Sequence, residues 1–352
     1  MNKRLKKLSL HILITVSTSL LIGQSCSAEQ SQQQHQQLQV QQKNQNYLAY
    51  PAMKSFINRM VQKGFDQNYL VQIFAHVNRD PRVLARASSP AEKKPWRNYR
   101  PIFITEKRIN TGVNFWNIHQ KTLHAASQEY GVPPEYIVAI IGVETFYGRN
   151  TGKYNVLRSL TTLAMDFPKR SRFYTSELEH YFQLLREEGL LNATVLHGSY
   201  AGAMGMGQFI SSSYRGYAID FNKDGYTDLW HPEDAIGSIA NYFHKHGWHH
   251  GADVAVPAHI FKDGYGEIIN TKASKPQLTI SQLTQYGVQP LGKINSQHVG
   301  LLELIGSSSV EYWITGDNFY VITRYNHSPK YAMAVFQLAQ EIKSRKKLQQ
   351  RY

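Results

Sequence analysis

Pro133-Pro134-Glu135-Tyr136-Ile137-Val138-Ala139-Ile140-Ile141-Gly142-Val143-Glu144-Thr145 is the segment on which the reading of this chain turns. Either proline fits the first turn of a helix, where its missing N–H has no intrahelical partner to lose. Ile137, Ile140, Ile141 and Glu144 then recur at i, i+3, i+4 and i+7, so one helical face carries three isoleucines and then a carboxylate. A carboxylate on such a face is either desolvated or looks into a cleft. Desolvation raises its pKa and keeps a proton available near neutral pH, which a general acid for glycosidic cleavage requires. The same spacing also fits a glutamate that reaches solvent from a fraying helix end, or one paired with a buried arginine, and Gly148 lies only four residues on.

Helical spacing continues on both sides. Phe56, Ile57, Met60 and Val61 predict a helix that Gly64 can end, and Asp66 can cap the next, with Tyr69, Leu70, Ile73 and Phe74 on its buried face. Val113 to Tyr130 reads as one helix, closed by Gly131-Val132-Pro133-Pro134, and helices dominate to about Gly247. From Val254 to Tyr325 the composition shifts to β-branched residues and turn formers such as Asp263-Gly264-Tyr265-Gly266 and Gly316-Asp317-Asn318, which predicts a small strand-containing unit over about 254–325. An amphipathic helix follows from about Tyr331, with Met333, Phe336 and Ile342 inward. The expected fold class is α+β, predominantly α.

Two further clusters carry chemistry. In Ser199-Tyr200-Ala201-Gly202-Ala203-Met204-Gly205-Met206-Gly207-Gln208-Phe209, three closely spaced glycines weaken helix and strand alike and let backbone approach a ligand. Gln208 could give an amide hydrogen bond to a sugar acetamido group; a tightly packed turn is the alternative, and no Gly-Lys-Ser/Thr follows to make a phosphate loop. Asp220-Phe221-Asn222-Lys223-Asp224-Gly225-Tyr226-Thr227-Asp228 places oxygen ligands at positions 1, 3 and 5 and glycine at 6, the spacing of an EF-hand calcium loop. Position 12 is His231 where a bidentate glutamate is usual, which leaves Glu233 or Asp234 to close the shell; an Asx-rich surface turn is the other reading.

The 42% hydrophobic and 12% aromatic content describes a globular chain, and 22 tyrosines suit either a core or a surface that grips sugar rings. Part of the +14 charge is local to the two ends, as in Lys3, Arg4, Lys6 and Lys7; no basic stripe with interleaved aromatics is present, so nucleic acid is set aside as a partner. Residues 1–28 run from those cations through an apolar Leu8–Ile22 stretch to Ser25-Cys26-Ser27-Ala28, the order of a secretory signal, and the stretch is short for a membrane span. Cys26 is the only cysteine. It is either the lipidation site of a bacterial lipoprotein, after the imperfect lipobox Ile22-Gly23-Gln24-Ser25, or bypassed by cleavage near Ala28. Residues 29–46 are rich in Gln, with Ser, His and Asn among them, and read as a flexible tether.

The chain resembles the membrane-bound lytic murein transglycosylase B family over roughly residues 47–345. The resemblance rests on IIGVETFYGRNTGKYNVLRSLTTLAMDFPKR, SYAGAMGMGQF, DFNKDGYTDLWHPEDAIGSIANYF and ITRYNHSPKYAMAV, in that order. It implies a lysozyme-like core over about 131–250 and Glu144 as the catalytic residue. It further implies that Gln208, Phe209, Ser199, Tyr242, Tyr325 and Tyr331 line the cleft, that Tyr99, Lys169 and Arg170 fall at substrate-contacting positions, and that Met204 belongs with them. Met206 stands where the family commonly has an aromatic, which bears on one stacking contact. The family's calcium loop closes beyond position 12, and Asp234 matches there. Asp220, Asn222, Asp224 and the Tyr226 carbonyl would complete a structural calcium shell in loop 220–234.

The resemblance also implies a mechanism with one carboxylate, whereas ordinary glycosidases place a second within ~10 Å. Glu144 would protonate the oxygen leaving N-acetylmuramic acid, then take the proton of that sugar's 6-hydroxyl as it closes on C1. The product is a 1,6-anhydro end formed without water. No cofactor is expected for catalysis. The expected partners are peptidoglycan strands and, through a lipidated Cys26, the outer membrane of an otherwise periplasmic monomer. A hydrolytic muramidase using Asp166 or Glu177 as second carboxylate, and a non-catalytic wall-binding protein, are the alternatives.

Overall fold

Proline and Asx residues punctuate the helices of this chain. Asp66 caps one by accepting the Tyr69 N–H at 2.7 Å, and Pro51, Pro81, Pro134, Pro232 and Pro329 each open another. The computed structural model describes residues 46–88, 94–190, 196–270 and 272–349. The signal segment, Cys26 and the glutamine-rich stretch up to residue 45 lie outside the described residues. Mostly helical with small antiparallel sheets, the chain divides into two units, residues 1–79 and 80–352.

In the first unit α1 (Pro51–Gln62) and α2 (Gln67–Ala75) are joined through Gly64, whose φ of 82° turns the chain. Phe56 and Phe74 meet edge to face at 5.6 Å, and Met53, Met60 and Leu70 are fully buried. Val61, expected on the buried face, is exposed instead because it lies beside the helix's last residue and points off the stripe formed by Met53, Phe56 and Met60.

The second unit runs α3 (Pro81–Ala87), α4 (Trp96–Phe103), α5 (Glu106–Ile118), α6 (Gln120–Tyr130), α7 (Pro134–Thr145), α8 (Val156–Asp166), α9 (Ser171–Glu187), α10 (Ser211–Tyr217) and α11 (Pro232–Lys245). The Val113–Tyr130 span is two helices rather than one. His119 leaves helical geometry at φ −103°, ψ 26°, and its ring lies 4.5 Å from that of Phe115, so the chain bends while the apolar spacing continues across the break.

At the centre is α7, packed by α5, α6, α11 and the final helix, α14 (Pro329–Gln349). It is buried on every side: Val138 and Ala139 are as inaccessible as Ile137, Ile140 and Ile141. Glu135 is buried in its first turn and is matched by Lys343 of α14 at 2.6 Å.

Strands β1 (Tyr154–Asn155) and β2 (His197–Gly198) form a short ladder. Residues 254–325 hold β3 (Ala255–Ile260), α12 (Ile280–Gln285), β4 (Val288–Pro290), β5 (Gly300–Ile305) and β6 (Val310–Thr315), in one antiparallel sheet of order β4-β3-β6-β5. Its last nine residues are the helix α13 (Asp317–Tyr325), so Gly316-Asp317-Asn318 starts a helix instead of making a strand turn. Ile314 pairs with Val256 on one side and Leu301 on the other, and these face a small core with Leu283 and Val288. The strand period puts Trp313 and Leu302 on the opposite face.

Candidate active site

Helix α7 delivers Glu144 at its C-terminal end and stops abruptly. Phe146 (φ 52°), Tyr147 (φ 60°) and Gly148 (φ 82°) are all left-handed, and the N–H groups of Phe146 and Tyr147 return to the carbonyls of Gly142 and Ile141. Two non-glycine residues there cost on the order of 1 kcal/mol each. The surroundings hold them. The buried Tyr147 hydroxyl donates to the Arg108 carbonyl at 2.9 Å, and its ring lies so close to α7 that a Cβ at Gly142 would sit 2.6 Å from Tyr147 Oη. Thr145 Oγ1 donates to the carbonyls of Ile141 and Met206 and accepts the Gly148 N–H at 3.0 Å, tying the helix end to the glycine-rich segment.

That segment is a tight turn in which Met204 and Phe209 exchange backbone hydrogen bonds at 2.8 and 2.9 Å. Gly205 (φ 71°) is needed there, since a Cβ would lie 2.4 Å from the Leu229 Cβ. Gln208, itself left-handed at φ 51°, donates its side-chain amide to the carbonyls of Thr151 (3.0 Å) and Gly205 (2.9 Å). With the NH2 so committed, Gln208 offers a ligand its carbonyl oxygen, an acceptor for an acetamido N–H. Ser199 organises the turn: its Oγ accepts the N–H groups of Ala201 and Ala203. Met204 is a correction. Its side chain is fully buried behind the turn and presents nothing to a ligand, because the ladder to Gly198 and Phe209 turns it inward.

Beside this turn opens a groove of about 750 Å³ walled by Gln208, Phe209, Tyr242, Tyr325, Lys169 and Arg170, with Phe173, Tyr174 and Tyr200 further along. The rings of Phe209, Tyr242 and Tyr325 pack at 4.8–5.8 Å, and their hydroxyls are anchored: Tyr242 donates to the Arg324 carbonyl at 2.7 Å and Tyr325 to that of Gly207 at 2.5 Å. Tyr331, from the first turn of α14, donates to Glu144 Oε1 at 2.6 Å. Burial, and then the Glu144 charge, push the Tyr325 and Tyr331 hydroxyls well above the ordinary phenol range, so both stay protonated donors. Glu144 is half-buried and lies close enough to the wall residue Tyr325 for that influence. Tyr99 is buried against Trp96 and Phe103, with Lys330 Nζ 5.9 Å from its ring centre, and lies close enough to the Tyr331 hydroxyl to raise its pKa.

Arg324 and His327, absent from the sequence reading, complete the wall, which holds three fixed cations and no carboxylate. Desolvation first, then Arg324 and Arg170, hold the His327 imidazole below its usual range, so it is neutral at pH 7. The groove therefore suits a ligand with anionic groups. Glu177, one of the two candidate second carboxylates, is buried, with Oε2 accepting the Ser212 N–H at 2.9 Å and Oε1 the Ser212 hydroxyl at 2.8 Å. It caps α10, and both its oxygens are engaged by Ser212.

In loop 220–234 the Asp220 carboxylate accepts the N–H groups of Asp224 and Gly225, and Asn222 Oδ1 that of Asp224. Asp224 lies below the ordinary carboxylate range because the Tyr226 N–H and the Asn222 amide donate to it. Asp234, fully buried in the first turn of α11, accepts from Phe221, Asn222 and Asp228. Among the described residues no three acidic or histidine side chains gather into a ready-made metal cage. The donor set is nonetheless hard oxygen, and Gly225 at φ 93° makes the sharp turn such a loop needs. The residues fit a calcium-type ion.

Residues 49–340 match the family described as Transglycosylase SLT domain. Membrane-bound lytic murein transglycosylase B of Escherichia coli (strain K12) is 45% identical over 316 residues, covering 86% of each chain. The solved lytic transglycosylase SltB1 of Pseudomonas aeruginosa, in a catenated form, superposes with a TM-score of 0.81 at 44% identity, over 86% of this chain and all of that one. The Escherichia coli lytic transglycosylase Slt35, solved in complex with calcium, does so at 0.78 and 42% identity, over 86% of this chain and 96% of its own. With Glu144 at the end of a buried helix, its tyrosine donor and the groove beside it in place, this chain belongs to the lytic transglycosylases of the SLT family.

Proposed function

We propose that this lytic transglycosylase cleaves the β-1,4 bond between N-acetylmuramic acid and N-acetylglucosamine of peptidoglycan, and that Glu144 performs both proton transfers. The observation that carries this reading is the single carboxylate held by Tyr331 next to a groove whose wall contains no second acid. Tyr331 fixes the carboxyl orientation. Glu144 protonates the departing glycosidic oxygen as the bond to C1 breaks, and the sugar's acetamido oxygen stabilises the positive centre. Gln208, its NH2 committed to two backbone carbonyls, would accept the acetamido N–H with its carbonyl oxygen. Glu144, now a carboxylate, takes the 6-hydroxyl proton while that oxygen bonds to C1. The attack is intramolecular, so its effective molarity replaces a second carboxylate and water. Lys169, Arg170 and Arg324 would meet the carboxylates of muramic acid and its peptide stem.

Calcium in loop 220–234, held by Asp220, Asn222, Asp224, the Tyr226 carbonyl and Asp234, would be structural. At the N-terminus, export by residues 1–28, lipidation at Cys26 and a tether over 29–46 would place a monomeric enzyme at the outer membrane facing the wall.

Mass spectrometry of soluble products from purified peptidoglycan tests the reaction, with Glu144→Gln as control. Products one water lighter than hydrolytic ones, absent in the control, are expected. Products of hydrolytic mass would make the enzyme a muramidase, and no release would leave a binding role.

A further inference from the structure

A second cleft, open and about 530 Å³, lies along a different face of α14 from Tyr331. Tyr331 and Gln337 are six residues apart on that helix, about 9 Å along its axis and turned roughly a third of the way round. The cleft's aromatic surface is Trp313, on the sheet face opposite Ile314, with Phe336 edge-on at 5.9 Å and 77°. Its polar rim is already oriented. The Trp313 indole N–H donates to Glu311 at 3.2 Å, and Arg100 Nε donates to Gln337 Oε1 at 2.7 Å. Where the catalytic groove sets three cations against no acid, this cleft sets Arg100 against Glu311 and Glu341. Such a charge balance gives no attraction to a carboxylate or phosphate. An aromatic ring flanked by amide, guanidinium and carboxylate groups, with donors and acceptors mixed, instead matches a neutral ring bearing hydroxyls and an amide.

We propose that the Trp313 cleft is a second binding site for glycan, taking N-acetylated sugar residues of peptidoglycan outside the catalytic groove. The proposal rests on the reading that peptidoglycan is the substrate. Its physical consequence is multivalency. A polymer repeats the same sugars, so a contact at Trp313 makes engagement of the groove intramolecular and raises its effective concentration. Because α14 carries both Tyr331 and the Phe336–Gln337 wall, the two sites keep a fixed spacing.

The test separates binding from turnover. Binding to insoluble sacculi is measured with the full chain carrying Glu144→Gln, alone and combined with Trp313→Ala or Gln337→Ala. kcat/KM on a short soluble muropeptide is measured with Glu144 restored, and melting temperatures check folding. Trp313→Ala should weaken sacculus binding about fivefold more than it lowers kcat/KM, with Gln337→Ala smaller in the same direction. An N-acetylglucosamine tetramer should shift the Trp313 indole resonance. Unchanged binding in both folded variants, or equal losses in binding and kcat/KM, would overturn the proposal. So would disappearance of the Trp313-dependent binding on sacculi stripped of peptide stems by an amidase, which would make the occupant peptide. If the unsubstituted enzyme released no product while Trp313→Ala still weakened binding, the cleavage reading would fail and the second site would stand.

Discussion

Glu144 and Tyr331 are 187 positions apart and meet at 2.6 Å, so the carboxyl proposed to react is oriented by a residue that no local pattern connects to it. Glu144→Gln keeps the shape but cannot move a proton, and turnover should fall at least ~10³-fold with little change in melting temperature. Tyr331→Phe keeps the ring and removes the donor. Loss of one charge-assisted hydrogen bond predicts roughly tenfold lower kcat with KM nearly unchanged; steady-state kinetics showing an intact kcat would refute the positioning role. Because burial and Glu144 both hold the Tyr325 and Tyr331 hydroxyls above the ordinary phenol value, neither should impose an alkaline limb on kcat below about pH 10. Spacing alone raised Glu144 as a general acid, because an acid after three isoleucines is conspicuous. Spacing was silent on Tyr331, which only the family resemblance supplied. Side-chain orientation was beyond either: Gln208 spends its NH2 on two backbone carbonyls, and Met204 points into the core.

At the scale of elements, α7 shows what periodicity conveys and what it omits. The i, i+3, i+4, i+7 face is present, yet the helix is enclosed by four others, so Val138 and Ala139 on its remaining faces are equally buried. A run this apolar also fits an amphipathic helix, and only the neighbours decide. Gly142 illustrates the packing. A Cβ there would overlap the Tyr147 hydroxyl, so Gly142→Ala should cost about 1–3 kcal/mol and loosen the left-handed turn that follows Glu144; urea unfolding measures it. A second contact ties α3 to α8. Asp80, buried, caps α3, bonds Arg82 at 2.7 Å and faces Arg158, while its N–H donates to Thr162 of α8. The Arg82 hydrogen bond, and then Arg158, hold its carboxyl below the ordinary range. A carboxyl depressed in the folded state contributes stability that is complete above its unfolded value, about 3.9, and is lost as pH falls through the folded value. The stability difference between Asp80→Asn and the unsubstituted protein should thus stay constant from pH 7 to 5 and close below about pH 4. A difference independent of pH down to 2 would show that the charge contributes nothing.

The groove exists only at the scale of the second unit, assembled from the 167–174 turn, the 200–213 segment, α11 and the end of α13. Helical spacing says which face of each element is apolar, but not which ends converge, and for that reason Arg324 and His327 escaped the sequence reading. Loop 220–234 bears on the same assembly. Asp234 opens α11, and Tyr242 of that helix walls the groove, so anything that stiffens the loop stiffens a wall. An ion bound only by the folded chain adds about 2.7 kcal/mol at 100 times its Kd, which for a unit of this size raises Tm by roughly 5 °C. Calorimetry in calcium and in chelator should show that rise, and Asp234→Asn, which removes the one buried carboxylate of the set, should abolish it. Since the ion would be structural and Glu144 performs the proton transfers, turnover of a short substrate at 25 °C should survive chelation. Melting temperatures that coincide in calcium and chelator would remove the metal from the account, while lost turnover at unchanged Tm would mean that the loop acts on the groove itself.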